Sequence, residues 1–153
     1  MKGVIVLKRE TLVSAKLLVA GLLKKGGEVV LVDWHGQLSL PTGKMDAKRD
    51  TDLRRTLVRE MEEEFPKLTH LEIIESLGVV VRNGNNTLLS FEILSCNIQG
   101  EIDVFMEGKF AILIRPVEAL KLPWLDILSR EAITRYVKRY PGIGKREEGK
   151  NDL

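Results

Sequence analysis

The sequence predicts an α/β fold, a mixed β-sheet packed between helices, built as one domain over residues 1–141. Three observations carry this expectation. Glycine-punctuated, strand-like runs lie on both sides of a central stretch, Leu53–Phe65, where Leu53, Leu57, Met61 and Phe65 recur every fourth residue as the buried stripe of a helix. A second helical stretch, Ser129–Tyr140, closes the chain with Ile133, Tyr136 and Val137 as its inner face. Strands interrupted by one helix and ended by another bury their apolar faces best as a sheet between helical layers.

The elements follow in order. Gly3–Leu7 is a short β-branched run, and Leu12–Leu23 a longer apolar one. Lys24–Gly27 turns on paired glycines into Glu28–Trp34, so these two runs read as a hairpin. Gln37–Pro41 alternates polar and apolar, and the strand ends at Pro41, which has no N–H for a ladder. Thr42–Asp50 reads as a charged loop carrying Gly43. Asp50 or Asp52 caps the central helix, and Pro66 stops it. Leu71–Val81 and Thr87–Ser95 are strands joined by a turn signalled by Asn83-Gly84. Asn97–Gly100 reads as a turn, Glu101–Phe105 leads to a strand at Lys109–Arg115, and Pro116–Leu120 is turn-like. Trp124 is expected to plug the space before the closing helix, and Gly142–Leu153 to form a mobile polar tail.

Composition narrows the function. An apolar content of 44% with 30% charged residues is that of a soluble globular protein. A net charge of +2 is too small for a surface that coats nucleic acid, so no stable nucleic-acid partner is expected. Leu17–Leu23 is too short to cross a bilayer, and Lys8, Arg9, Glu10 and Lys16 break up any signal-peptide core, leaving the cytoplasm as the expected location and no membrane partner. Cys96, the single cysteine, excludes an internal disulfide and reads as a small core residue.

Chemistry concentrates at the end of the central helix, in Arg59-Glu60-Met61-Glu62-Glu63-Glu64. With Leu53 at zero and ~100° per residue, the apolar stripe sweeps from ~0° to ~120°. Glu60, Glu64 and Glu63 fall at ~340°, ~20° and ~280° along one edge of it, and Glu62 at ~180° points away. Such crowded carboxylates at the negative end of a helix repel one another, and a divalent cation offsets the cost; Mg²⁺ favours carboxylate, carbonyl and water oxygens. Arg59 stands one turn before Glu63 and can hold it. Gly43, without a side chain, lets the backbone approach a metal or phosphate. Taken alone, an acidic run is an ordinary solvated helix face. A strand–Leu-Pro-x-Gly–loop–helix context, with carboxylates bordering the core, favours a metal site.

These residues resemble the Nudix box, G-x5-E-x7-R-E-U-x-E-E-x-G-U, and Leu40-Pro41-Thr42-Gly43-Lys44 is similar to its Leu-Pro-Gly-Gly-Lys entry. Ile114–Leu120 followed by a closing helix is similar to the usual Nudix ending. The resemblance implies a Nudix-like α/β/α sandwich and a Mg²⁺- or Mn²⁺-dependent hydrolase that cleaves the diphosphate linkage of a nucleoside diphosphate derivative. It implies Gly43, Glu60, Glu63 and Glu64 as metal ligands, with Glu63 and Glu64 serving catalysis as well. Arg59 would orient the acidic cluster, and Glu107 is the candidate general base. A homodimer is compatible with the resemblance. Three features depart from the pattern: fifteen residues separate Gly43 from Arg59 instead of thirteen, Thr42 replaces a glycine, and Pro66 replaces the final one. The first family glutamate falls on Arg49 or Thr51, with Asp50 and Asp52 nearby but out of register. A catalytically weak nucleotide-binding or regulatory module is therefore the alternative. Trp34 and His35 are candidates for base or phosphate contacts beside plainer rim-packing roles. Arg54 and Arg55 are candidates for phosphate contacts, and Glu118 reads as a turn or surface acid.

Overall fold

The structure is a computed structural model and describes residues 14–104 and 108–143. Its elements are β1 (Ser14–Lys25), β2 (Glu28–Trp34), β3 (Gln37–Ser39), β4 (Thr42–Lys44), α1 (Leu53–Glu64), β5 (Leu68–Gly84), β6 (Thr87–Gly100), β7 (Ala111–Ile114), α2 (Pro116–Ala119) and α3 (Ile127–Arg139). The expected run Gly3–Leu7, Phe105 and Glu107, and residues 144–153 of the expected tail lie outside the described residues.

All seven strands form one mixed sheet, ordered β3-β2-β1-β6-β5, with β4 added to β1 and β7 to β2. β1 is its axis. It runs parallel to β6 from Ser14↔Thr87 to Lys24↔Asn97, and meets β4 at Leu18–Ala20 and β2 only at Lys24–Lys25. Gly26 and Gly27, at φ +60° and +83°, supply the left-handed pair that a two-residue hairpin turn demands. The continuous apolar run of β1 reflects burial on both faces. Ala20 and Leu22 join Val29, Leu31, Ile93, Ala132 and Ile133 in one core, whereas Val19 and Leu23 join Leu57, Met61, Phe65, Leu94 and Cys96 in the other. Each core lies between the sheet and a helical layer, α1 on one side and α3 on the other, which is the expected sandwich.

Several local expectations are corrected. Thr42–Lys44 is a strand, not loop, registered against β1 through Val19↔Gly43. Three residues are too few to show a period, so tertiary pairing decides this segment. Gly84 pairs with Thr87, so the β5–β6 turn is Asn85-Asn86, two positions beyond Asn83-Gly84, with Asn86 at φ 54°. Asn is among the side chains that tolerate that region. Asn97–Gly100 continues β6, because it pairs with residues 68–72 of β5. The late strand is limited to Ala111–Ile114, and Pro116–Ala119 is a helical turn begun by its proline. α3 begins at Ile127, because Asp126 accepts a hydrogen bond from Ser129 N at 2.8 Å and caps it. Trp124 is half exposed and plugs nothing; its carbonyl accepts from Leu38 N at 3.0 Å. Ile143, inside the expected mobile tail, packs on the α3-side core.

Candidate active site

α1 carries most of the site. Asp52 caps it through Arg55 N (2.9 Å), and Leu57, Met61 and Phe65 are buried, so the stripe fixes the helix's rotation. That rotation places Glu60 and Glu64 on the wall of a cleft of about 470 Å³, with Gly43 and Lys44 of β4 beside them and Trp34 and Lys109 also lining it. Its floor, Ser39–Pro41, is stitched to α3. Leu40 N donates to Ser129 Oγ at 2.8 Å, and Ser39 Oγ donates to Asp126 Oδ2 at 3.1 Å. The apolar stripe thus aims the carboxylates, and the start of α3 holds Ser39 and Leu40 in the same cleft.

Glu63 stands apart from that wall. It is exposed, accepts from Arg59 Nη1 at 3.1 Å and lies 3.8 Å from Arg49 Nη1. Glu62 is exposed, as expected. Arg59 is the hub. Its Nη1 also reaches Glu60 Oε1 at 3.2 Å, and its Nη2 reaches Lys44 O at 3.3 Å, tying the helix to β4.

Asp50, offered with Asp52 as the helix cap, does not cap α1, since Asp52 does. The Asp50 side chain is fully buried and accepts a bidentate pair from Arg59, Nε to Oδ1 at 2.9 Å and Nη2 to Oδ2 at 2.8 Å. Thr56 Oγ1 (3.0 Å) and Asp46 N (2.8 Å) donate to the same carboxylate. Asp50 is therefore the acid that answers Arg59 from the longer loop, although it is out of register with the family's glutamate. The Arg59 guanidinium holds the Asp50 carboxyl far below its usual 3.8, with the Asp46 amide and Thr56 hydroxyl adding to the shift against burial, and Asp50 in turn raises Arg59. A folded value below the unfolded one means that this carboxylate's stabilisation is full above 3.8 and is lost as pH falls toward the folded value. Tm measured between about pH 5 and pH 2 should fall with acid in the parent and change less in Asp50→Asn. Equal slopes would remove Asp50 from the acid response.

The remaining candidates separate clearly. Trp34 is half exposed on the cleft, and His35 sits in the β2–β3 turn with its ring edge-on to the indole at 4.4 Å. Arg54 and Arg55 are exposed on α1. Glu118 pairs with Arg115 and Lys121 on the surface of α2. Cys96 is buried, and burial pushes its thiol up to about 12, so it stays protonated and inert.

Among the described residues no three His, Cys, Asp or Glu side chains cluster closely enough to make a closed metal cage. The donor set still suits Mg²⁺, which keeps several waters and binds through one or two carboxylates plus substrate phosphate. Glu60 and Glu64 supply two carboxylates on an open cleft. Gly43 makes the space for one of them: a Cβ there would overlap Glu60 Cγ and lie 3.1 Å from Glu60 Cβ. Gly43→Ala should therefore part β4 from α1 and reduce divalent-ion-dependent activity by roughly 10²-fold, the cost of misplacing a reacting group by about 1 Å. Unchanged turnover in this variant would exclude the close approach as a requirement.

No helix among the described residues is long and apolar enough to cross a membrane. No protein-family model matches the sequence, and no curated protein matches it. Solved structures do match. A MutT NUDIX hydrolase from Burkholderia pseudomallei superposes with a TM-score of 0.63 at 19% identity, over 80% of this chain and 98% of that one. The E. coli ORF135 protein gives 0.62 at 19%, over 82% and 91% of the two chains. A UDP-X diphosphatase gives 0.64 at 16%, over 84% of this chain and 64% of its own. The strand order, the two helical layers and these superpositions together establish that the chain has the fold of the Nudix hydrolases.

Proposed function

We propose that the protein is a Mg²⁺- or Mn²⁺-dependent hydrolase that cleaves the diphosphate linkage of a nucleoside diphosphate derivative. The observation that carries this reading is the placement of Glu60 and Glu64 beside Gly43 on the wall of the cleft. Glu60 and Glu64 would hold the ion. When bound, the ion neutralises the diphosphate and lowers the pKa of an attacking water. Arg59 keeps Glu60 in position and joins α1 to Lys44 of β4. Glu63, exposed and paired with Arg59, would supply a further carboxylate to the ion. Lys44 lines the cleft beside the carboxylates and offers an ammonium to a substrate phosphate. Glu107 remains the proposed general base. Two of the solved structures that share the fold support this reading through their names, a NUDIX hydrolase and a UDP-X diphosphatase.

The test is release of a nucleoside monophosphate from dinucleotides, ADP-ribose, nucleotide sugars and nucleoside triphosphates, with and without Mg²⁺. Turnover that requires the ion is expected for at least one of them. No turnover of any would overturn the reading. The engagement of Glu63 by Arg59 and Arg49, away from the cleft wall, favours a second reading as a catalytically weak nucleotide-binding module. Calorimetry separates the two: tight binding without product supports the module.

A further inference from the structure

The cleft is also lined by an aromatic side chain, which the diphosphate chemistry does not use. Trp34, the last residue of β2, leaves 52% of its surface in solvent on the cleft wall. The core does not need this indole, and an exposed aromatic face in a concave site is a binding surface. It is also held in place. Asp33 N donates to Phe110 O at 3.1 Å, fixing the strand end beside the start of β7, and the His35 ring braces the indole edge-on. Over its face lies Lys109 Nζ, 5.4 Å from the ring centroid. Among the described residues, Lys109 and Lys44 are the cations that line the cleft, against the carboxylates of Asp33, Glu60, Glu64 and Asp126. A lysine held over an exposed ring by a cation–π contact is weakly held, and a planar aromatic group can replace it.

We infer that Trp34 and Lys109 form a coupled recognition pair for a nucleobase. The base stacks on Trp34 and displaces Lys109, whose ammonium then pairs with the phosphate carried by the same ligand. Stacking and charge pairing are thereby linked, and the cleft selects nucleotides over phosphates that carry no aromatic group. The inference rests on the reading of this cleft as the phosphate-binding site, but it concerns selection and not hydrolysis.

The test reads binding, so it is independent of turnover. In a Trp124→Phe background, Trp34 is the sole indole and reports directly on the cleft. Adenosine 5′-monophosphate should quench its fluorescence and bind on the order of tenfold more tightly than ribose 5-phosphate, the range expected for stacking one base on an aromatic side chain. By calorimetry, Trp34→Leu should erase that difference. Lys109→Met should weaken adenosine 5′-monophosphate severalfold and leave uncharged adenosine unweakened, because only the phosphate needs the ammonium. A purely structural role for Lys109 would weaken both alike. Equal affinity for the two phosphates, a preference that survives Trp34→Leu, or no binding of adenosine 5′-monophosphate would each overturn the inference. Selective binding without hydrolysis would retain it and sink the proposed reaction, whereas hydrolysis without selectivity would do the reverse.

Discussion

Glu64→Gln and Glu60→Gln should each reduce Mg²⁺-dependent hydrolysis by roughly 10²–10³-fold, the scale seen when one preorganised electrostatic group is removed from an active site. The exchange keeps the shape of the side chain and removes its charge, so the fold should stand and the ion should bind weakly. Melting curves give a second reading. An ion that binds only the folded chain raises Tm according to its concentration relative to Kd, so the Mg²⁺-induced rise should disappear in Glu64→Gln. Glu63→Gln should cost less, because this carboxylate already spends its charge on Arg59 and Arg49 away from the cleft wall. Glu62→Gln, on the solvent side of the helix, should leave the rate unchanged. A gradient of loss from Glu64 and Glu60 through Glu63 to Glu62 is the signature of a site on this helix edge. Equal rates in all four variants would identify the acidic run as ordinary surface charge.

What was legible in the sequence, and what was not, follows from the length over which each signal accumulates. The rotation of α1 was readable because Leu57, Met61 and Phe65 repeat over about two turns and all three are buried. The same rotation placed Glu60 and Glu64 at the core border and Glu62 in solvent. It also grouped Glu63 with them, since an angle on a helical wheel does not show that Arg59 and Arg49 lie within reach of that side chain. β4 escaped notice because its partner, Val19, is twenty-four positions away and three residues carry no period. The start of α3 was placed two residues late, at Ser129, whose hydroxyl accepts from Leu40 N, whereas Asp126 does the capping. Asp50 was visible as an acid near the helix start, but counting along the family pattern from either side missed it. A loop longer by two residues changes register without changing where the chain can deliver a carboxylate. Space, not spacing, decides which acid answers Arg59.

Arg59→Met should lower Tm by roughly 10 °C, because it leaves the fully buried Asp50 carboxylate with only the Thr56 hydroxyl and the Asp46 amide as donors. Removing one partner of a buried pair costs more than removing both, since the survivor remains desolvated and unpaired. Asp50→Asn should destabilise as well, by setting an amide against a guanidinium that needs an acceptor. The double variant Asp50→Asn/Arg59→Met should then recover a large part of the lost Tm, a non-additivity expected of groups in direct contact. Activity should not follow. Arg59 also holds Glu60 and Glu63 and ties α1 to the Lys44 carbonyl, and methionine replaces none of these bonds. Stability and turnover should therefore separate in the double variant, with the fold restored and hydrolysis still depressed. Tm losses that simply add would show that Asp50 and Arg59 stabilise the chain independently. Recovery of turnover together with Tm would show that Arg59 serves only the fold and that Glu60 and Glu64 need no help from it to hold the ion.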